Sequence, residues 1–442
     1  MKIKKRAIAI LSMLCVLASV WAITLTEDQA VEYALQNSGS LELAAMDLAM
    51  QARADKNGWN GLLPTVQVSA TLNRSNQVSP SLSSIMSSPN VSFVGGVSAS
   101  WNFNPALITN IDLAHRQYEA GLITYEEQKQ QTILNVRKMF YGLLLQQESL
   151  AMQRESLKNT EARVTQAEEN FKAGYVPELT VLQAQTSYDN AVSGFQKQEQ
   201  SFVQQKRTFA MLLGLPVDEE LTLEGEIGMD FYDIDTATSL NSLDSRFDIA
   251  KLGKQAEVLK TQEKALKMQI NVPTISLSAS YQPMVMDITK DWGGDFYTNP
   301  MGSSPNYMDN GSMSVTVAMN LTNLLPWSSA RQGLKDLQDN ISKLATSELV
   351  LRESATVEIL NLLTTLEQSR LAIENSERSI TLAQKAYDLT EESYRYGSTE
   401  LLDVRDAQLQ LDQAKLGRLS DQYTYLSALL DLEYAIQRSI IK

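Results

Sequence analysis

The sequence is poor in residue patterns that perform catalysis. His115 is the only histidine in 442 residues, and a lone histidine in a helix is more often an exposed polar side chain than a catalyst. The chain has no serine–histidine–aspartate signature, no phosphate-binding glycine loop and no cysteine–histidine metal spacing. We therefore expect a protein that is not an enzyme and binds no cofactor.

One loop contains side chains that could bind metal ions. Its three aspartates lack the alternating ligands of a calcium-binding EF-hand loop: Asp287, Asp291 and Asp295. Four methionines in the same region could hold a soft metal, although a methionine-containing mobile loop is the simpler interpretation: Met284, Met286, Met301 and Met308. We predict no metal site.

A pair of acids, Asp403 and Asp406, stands three residues apart in a predicted helix. Residues with this spacing share one helix face. From the residues alone, two solvated acids on a helix surface are the simpler interpretation.

The first residues have the composition of a secretory signal peptide. A basic stretch, MKIKKR, is followed by an apolar stretch and a small-residue cleavage site after about Ala22. Removal of residues 1–22 would also remove Cys15, the only cysteine, so no disulfide framework is expected. Cys15 follows Met13 and Leu14 rather than small residues, which argues against lipidation.

The net charge of the chain is −14, and the predicted signal peptide carries only basic charges. An acidic chain argues against nucleic acid as a partner, because nucleic-acid binding leaves a basic footprint. After the signal peptide, the sequence has no apolar run of about 18 residues, the signature of a transmembrane helix. Membrane contact would therefore require strands.

The elements that position these residues occur twice. The segment 171–191 resembles 394–414, which lies 223 residues downstream, and LLPTVQVSATLN at 62–73 resembles NVPTISLSASYQ at 271–282. A third pair, 97–108 and 315–326, follows the same order, which indicates a tandem duplication. We predict repeats at 23–235 and 236–442, each with a helix, two strands and a long helical hairpin.

Four predicted strands alternate between apolar and uncharged polar residues: 65–73, 91–103, 274–282 and 312–321. Strands of about ten residues cross a bilayer when tilted. A soluble sandwich with one wet face is the alternative. The near absence of charge favours a membrane barrel, as do aromatic residues at the strand ends nearest the helices: Trp59, Trp101, Phe103 and Trp327.

Four strands cannot close a membrane barrel, because the smallest barrels have about eight. Open strand edges cannot face lipid. Copies of the chain must therefore share one barrel. Two copies would supply eight strands and three copies twelve, and the alternation does not distinguish between them.

A stretch of helix formers follows the second strand of each half, from about Pro105 to Lys172 and from about Ser328 to Arg395. At 1.5 Å per residue each helix would be about 100 Å long. Its apolar residues have the three/four spacing of a narrow coiled-coil seam: Ile133, Val136, Phe140, Leu143, Gln147 and Leu150. Such a helix suits a wall between two aqueous spaces.

Each long helix ends at a glycine, Gly174 or Gly397, before a second helix begins. Glycine is favourable in the left-handed conformation that ends a helix, and Pro177 suits the start of the next helix. A single turn of this kind is a weak signal. Its repetition predicts two helical hairpins whose tips lie near residues 174 and 397.

These tips carry a resemblance to a known family. GYVPELTVLQAQ and GSTELLDVRDAQ resemble the tip motifs of TolC-like outer-membrane efflux proteins, and the likeness extends over LLPTVQVSA, VPTISLSAS and LGLP. The resemblance implies a homotrimer, mainly α, in which a coiled-coil tunnel joins a shared 12-stranded transmembrane β-barrel, four strands per chain. It also implies a porin-like exit duct for drugs, toxic small molecules or secreted polypeptides, in tripartite efflux or type I secretion.

The resemblance assigns roles to individual residues. A periplasmic adaptor, coupled to an inner-membrane transporter, would dock on the tips: Gly174, Gly397, Leu179, Leu402, Val181 and Val404. The aspartates of the closed tunnel gate match Asp403 and Asp406, and the latch tyrosine matches Tyr394. Thr399 and Thr180 replace the charged residues of the family's latch, so its salt bridge is not expected here in that form. Three nearby charged residues are the alternatives for it: Glu178, Glu400 and Arg405.

The alternative from another class is a periplasmic coiled-coil structural or adaptor protein without a pore. Adaptors usually carry one hairpin between lipoyl-like β segments, whereas this sequence has two hairpins and two pairs of uncharged strands. A cell-envelope hydrolase is disfavoured by the missing catalytic residues.

Overall fold

A computed structural model describes residues 23–74, 91–225, 227–228, 230–286, 288 and 307–440. The predicted signal peptide, Asp287, Asp291, Asp295 and Met301 lie outside this range. The chain divides into two compact units. The first contains Met1–Asp47, Leu122–Lys251 and Glu348–Lys442, and the second contains Leu48–Gly121 and Leu252–Ser347. Each unit combines segments from both predicted repeats, whose boundary near residue 235 stays a prediction.

The chain is mainly helical, with eight α-helices in the described ranges. They are α1 (Glu27–Asn37), α2 (Gly39–Lys56), α3 (Ala106–Lys172), α4 (Glu178–Leu212), α5 (Thr236–Asn241), α6 (Phe247–Asn271), α7 (Ser329–Arg395) and α8 (Leu401–Ile436). Helices α3 and α7 have 67 residues each and match the two predicted long helices to within one residue. No helix in the described part of the chain combines the length and the hydropathy that a membrane span requires.

The first unit contains a two-stranded parallel sheet of β1 (Ile23–Leu25) and β4 (Leu221–Leu223). Its main apolar cluster joins this sheet to α1, α3 and α4, with Leu25, Phe140, Phe209 and Leu213 at most 1% exposed. A second cluster joins α7 to α8 around Ile359, Leu429 and Leu432. The long helices are therefore buried locally, where neighbouring helices cover them.

The predicted seam on α3 is broader than a coiled-coil stripe. Four of its residues are buried: Val136, Phe140, Leu143 and Leu150. Ile133 is half-buried and Gln147 is exposed, while Gln146 is buried in its place. Leu134 packs against α8, and Leu144 belongs to the cluster with α1 and α4, because α3 has neighbours on several sides here.

The second unit contains a six-stranded antiparallel sheet. Its strands are β2 (Thr65–Arg74), β3 (Val91–Phe103), β5 (Thr274–Tyr281), β6 (Met284–Val285), β7 (Tyr307–Met308) and β8 (Gly311–Ala318). Strand β3 pairs with β2 along one edge and with β5 and β6 along the other, and β8 pairs with β5. The outer edges of β2 and β8 have no strand partner among the described residues.

The last predicted strand, 312–321, ends earlier than expected, at Ala318. The side chain of Asn320 accepts a hydrogen bond from the backbone N–H of Thr322 at 3.0 Å and begins a 3₁₀ turn at Leu321–Leu324. Asparagine favours such local turns over a strand ladder. By alternation alone, Asn320 fits as one more polar residue of the strand.

The faces of the sheet differ as the alternation predicts. Every residue of β2 and β8 is exposed in the single chain, and Val68, Met313 and Val315 are at least 67% exposed. The polar face is satisfied by uncharged side chains, as in the hydroxyl–hydroxyl bond between Ser278 and Ser314 at 2.7 Å. One face is thus apolar and uncovered by this chain, while the other is polar and almost free of charge.

Candidate functional site: the helical tips

The first hairpin turns at Gly174, between α3 and α4. Gly174 has φ +77°, and its N–H donates to the carbonyl of Phe171 at 2.9 Å. The N–H of Tyr175 then donates to the carbonyl of Asn170 at 2.8 Å. This six-residue closure is the Schellman arrangement, which satisfies the last carbonyls of a helix.

The second hairpin turns at Gly397 with the same hydrogen bonds. Gly397 has φ +72°, its N–H donates to Tyr394 at 2.9 Å, and Ser398 donates to Ser393 at 3.0 Å. Each residue of these hydrogen bonds lies 223 positions after its counterpart in the first hairpin. A Cβ atom added at Gly174 or Gly397 would meet nothing within 4 Å. Positive φ, and not crowding, is therefore the reason for glycine at both tips.

The predicted docking side chains divide into exposed and buried groups. Leu179 and Leu402, at the starts of α4 and α8, are 62% and 51% exposed. Val181 is half-buried and packs on the cluster of Val164, Ala167 and Ala184, and Val404 is 1% exposed. The valines therefore lie inside the hairpins, and the leucines lie on the surface.

Two tip residues were missed by the sequence analysis. Tyr175 and Tyr396 flank the two glycines and are each 82% exposed. They do not occupy equivalent positions, since Tyr175 follows its glycine and Tyr396 precedes its own. A search for repeated residues could not find them, whereas a search for aromatic residues beside the turn glycines would have.

Asp403 has a local structural partner at the start of α8. Its carboxylate accepts a hydrogen bond from the backbone N–H of Glu400 at 3.2 Å, within a reciprocal capping box. Asp403 and Asp406 are both exposed in the single chain. Thr180 occupies the position equivalent to Asp403, so only the second hairpin carries this acid.

Among the described residues, the side chains at the family's latch positions make few polar contacts in the single chain. Tyr394 is half-buried, and its hydroxyl has no hydrogen-bond partner among the described residues. Thr399 donates weakly to the carbonyl of Thr390 at 3.5 Å. The nearby charged residues Glu400 and Arg405 form no ion pair within the described ranges.

A polar link joins the two hairpins further from the tips. Ser156 on α3 donates to the carboxylate of Asp412 on α8 at 2.8 Å. Arg163 on α3 donates to the hydroxyl of Tyr387 at 2.9 Å and to Gln408 at 3.3 Å. The guanidinium also lies 5.7 Å from the centre of the Tyr387 ring, within cation–π distance. Sequence patterns gave no signal for Ser156, Arg163 or Tyr387.

This link lines a groove with a volume of about 470 Å³ between α3, α4 and α8. Its walls combine polar side chains such as Asn190 and Arg405 with apolar side chains such as Leu182 and Leu409. Leu182 and Leu409 are 57% and 51% exposed. The groove is thus amphipathic and is open to solvent in the single chain.

Ion pairs also join elements away from the tips. Arg137 on α3 binds Glu27 on α1 and Glu433 on α8. Burial lowers the pKa of Arg137, but the hydrogen bonds and charges of Glu27 and Glu433 together outweigh it, so the pKa is raised. Burial and a hydrogen bond to Glu27 also raise the pKa of Tyr141. These groups stay in their ordinary charge states, which fits a structural role.

No feature of the described residues resembles a catalytic or metal centre. The His115 side chain is 52% exposed and lies 3.3 Å from Asp55 and 3.5 Å from Glu119 on the surface of the second unit. Within the described ranges, no three acidic, histidine or cysteine side chains are grouped so as to hold a metal ion. Of the four methionines, Met284 and Met308 face each other across β6 and β7.

The fold is similar to that of solved outer-membrane channels. The CmeC outer membrane channel of Campylobacter jejuni matches 93% of this chain and 85% of its own, with a TM-score of 0.74 and 18% identity. The outer membrane protein VceC of Vibrio cholerae matches 94% of this chain and 97% of its own, with a TM-score of 0.71 and 17% identity. The predicted class, long helical hairpins with a few strands, is confirmed.

Sequence comparison points in the same direction. Nodulation protein T of Rhizobium leguminosarum bv. trifolii is 22% identical over 357 residues, which cover 76% of this chain and 70% of that protein. The model of the family described as outer membrane efflux protein matches residues 30–215 and 241–436, most of the chain. The chain therefore belongs to the outer membrane efflux protein family, and it is an outer-membrane efflux channel rather than an enzyme.

Proposed function

We propose that three copies of this chain form one exit duct, in which twelve strands close a barrel and the helical hairpins form a tunnel. The observation that carries the proposal is the sheet, since the edges of β2 and β8 lack strand partners among the described residues. Backbone groups at such edges cannot remain unpaired in lipid. Pairing β8 of one copy with β2 of the next satisfies both edges.

The two tips of each chain dock a periplasmic adaptor, which connects the duct to an inner-membrane transporter. Support comes from the surface of the tips, where Leu179, Leu402, Tyr175 and Tyr396 are all more than half exposed. Exposed apolar side chains on a water-facing tip mark a contact surface. Val181 and Val404 contribute by packing within the hairpins, so that the turns hold one shape.

Asp403 and Asp406 of the three copies line the closed entrance of the duct. Both carboxylates are exposed and share one face of α8. Six acids around a narrow opening repel one another and attract cations. Tyr394 lies one turn before Gly397 and positions α7 against this ring. The cargo is a drug, another toxic small molecule or a polypeptide.

The test is single-channel conductance of the purified protein in a planar bilayer, with wild type beside Asp403→Ala/Asp406→Ala. We expect a small conductance that cations block in wild type and that rises in the variant. Glu169→Ala is the matched control, because this acid lies on the exposed surface of α3 in the first hairpin. Equal conductance in wild type and variant would remove the gate role, and a folded oligomer without conductance would contradict the duct.

Docking is tested separately with Gly174→Val/Gly397→Val. Valine opposes positive φ more strongly than most residues, so both turns should change shape. We expect loss of adaptor binding and of efflux in cells, while outer-membrane insertion remains normal. Normal efflux with both substitutions would contradict the assignment of the tips.

A further inference from the structure

A glutamine–aspartate pair occurs in both hairpins with the same internal hydrogen bond. On α4, the amide of Gln185 donates to the carboxylate of Asp189 at 3.1 Å. On α8, Gln408 donates to Asp412 at 3.0 Å. The pairs lie 223 residues apart, the spacing of the tip glycines. The duplication has thus retained an element that holds one carboxylate in a fixed orientation.

The two carboxylates differ in what they contact beyond their own helix. Asp412 is half-buried and accepts the hydroxyl of Ser156 from α3 at 2.8 Å. Asp189 is exposed, and among the described residues it has no hydrogen-bond partner outside α4. The second hairpin therefore uses its aspartate against a neighbouring helix, while the first hairpin presents the equivalent aspartate to solvent.

A serine equivalent to Ser156, which could donate to Asp189, lies on α7. The position 223 residues after Ser156 is Ser379 on α7, which is exposed and donates only to the carbonyl of Asn375 in its own helix, at 3.1 Å. The same helix exposes Leu382 and Leu389, which are 70% and 55% accessible. This surface of α7 is apolar, uncovered in the single chain, and carries the hydroxyl that Asp189 lacks.

We propose that a second copy of this chain covers this surface, with α7 of one copy packed on α4 of the next and Ser379 donating to Asp189. The inference rests on the proposed ring of copies. In a closed ring built from repeated hairpins, contacts within a chain alternate with contacts between chains. The contact of Ser156 with Asp412 then sets the register for its counterpart between copies.

The two contacts differ at one position. Arg163 fastens the contact within the chain, through Tyr387 and Gln408, but the residue 223 positions later is Ala386. The contact between copies therefore lacks a guanidinium and its hydrogen bonds. Because polar links to a charged group are stronger than neutral ones, the contact between copies is the weaker of the two. It separates first when the tips move apart.

The test is cross-linking with Ser379→Cys/Asp189→Cys, using a short bis-thiosulfonate reagent, which does not require the narrow geometry of a disulfide. Ser156→Cys/Asp412→Cys is the positive control and should link within one chain, as peptide mass spectrometry will show. Ala386→Cys/Asp189→Cys is the register control, because residue 386 lies about 10 Å along the helix from residue 379. Variants that carry only one of the introduced cysteines show whether any product comes from Cys15.

We expect Ser379→Cys/Asp189→Cys to give linked dimers and trimers on a denaturing gel with a yield near that of the positive control. The register control should give little product. If the trimer is intact but Ser379→Cys/Asp189→Cys links as poorly as the register control, the proposed register is overturned while the duct remains. Wild-type protein that is monomeric by native mass spectrometry would overturn both this inference and the proposed trimer.

Discussion

The two hairpins turn in the same way at their tips. At the opposite end, they use different residues for a similar backbone turn. Gly174 and Gly397 both have positive φ and make equivalent hydrogen bonds. At the other end, Gly214 after α4 has φ +72°, and the residue 223 positions later, Gln437 after α8, has φ +54°. Both ends close with a bond to the residue five before, Leu215 to Ala210 and Arg438 to Glu433.

The surroundings explain the difference. A Cβ atom at Gly214 would lie 2.1 Å from the carbonyl oxygen of Asn37, which leaves no room for a side chain. Gln437 has room, and its amide donates to the carbonyl of Tyr434 at 2.7 Å, which offsets part of the cost of positive φ. The duplication has thus kept backbone shape at both ends, while neighbouring segments have decided which residues are possible.

The largest expected effect compares how tightly the cores of the two halves are packed. Phe140 is 1% exposed, whereas its counterpart Leu363 is half-buried. Phe140→Ala should lower the free energy of unfolding by about 3–5 kcal/mol, because it leaves a large cavity among α1, α3 and α4. Leu363→Ala should cost clearly less. Equal shifts in the urea midpoint at one protein concentration would show that the halves are equally packed.

Gly214→Ala should have the next largest effect. The new methyl group combines positive φ with a collision against Asn37, so we expect a loss of about 3 kcal/mol. Thermal unfolding followed by circular dichroism will measure it. Gly194→Ala, at a helical glycine with open space around it, is the control and should be neutral or stabilising. A loss at Gly214 no greater than at the tips would indicate that α1 moves away readily.

Substitution of the two tip glycines should reduce stability equally. Gly174→Ala and Gly397→Ala should each cost about 1–2 kcal/mol, since strain from positive φ is the only penalty. Hydrogen exchange at the last turns of α3 and α7 will report the local change. A much larger effect at one tip would mean that the hairpins differ in their contacts with other copies of the chain.

The smallest effect is expected at Gln437. Replacement by glycine removes about 1 kcal/mol of backbone strain but also removes the hydrogen bond to Tyr434. We expect the midpoint of unfolding to change little, whereas Gln437→Ala should be destabilising because it retains the strain and loses the bond. If alanine and glycine behaved alike, backbone strain would not matter at this end.

Local patterns predicted the architecture well. Two long helices and their turn glycines follow from composition and repetition, and the four main strands follow from their alternation. The end of the last strand could not be predicted from the alternation, because Asn320 fits both an alternating strand and a turn. The seam on α3 was drawn too narrow, since Leu134 and Leu144 are buried by helices distant in sequence.

The candidate site was predictable only where it depends on local backbone shape. Glycine at a hairpin tip can be read from its neighbours in sequence. The link from Ser156 to Asp412 joins residues 256 positions apart and depends on how two helices pack. The burial of Val404 has the same cause. Exposure and pairing at the tips therefore required the three-dimensional structure.

The register of the sheet also constrains when it can form during export. Strand β3 pairs with β5 so that Phe103 lies opposite Ile275, and β8 joins only after Gly311. Contacts between residues so distant in sequence form late, because closing a long loop costs entropy before any pairing compensates it. The helices between these strands can form at once. A chain emerging from the secretion machinery must therefore remain without its complete sheet until nearly three-quarters of it has crossed, and this interval is when a holding chaperone would be most useful.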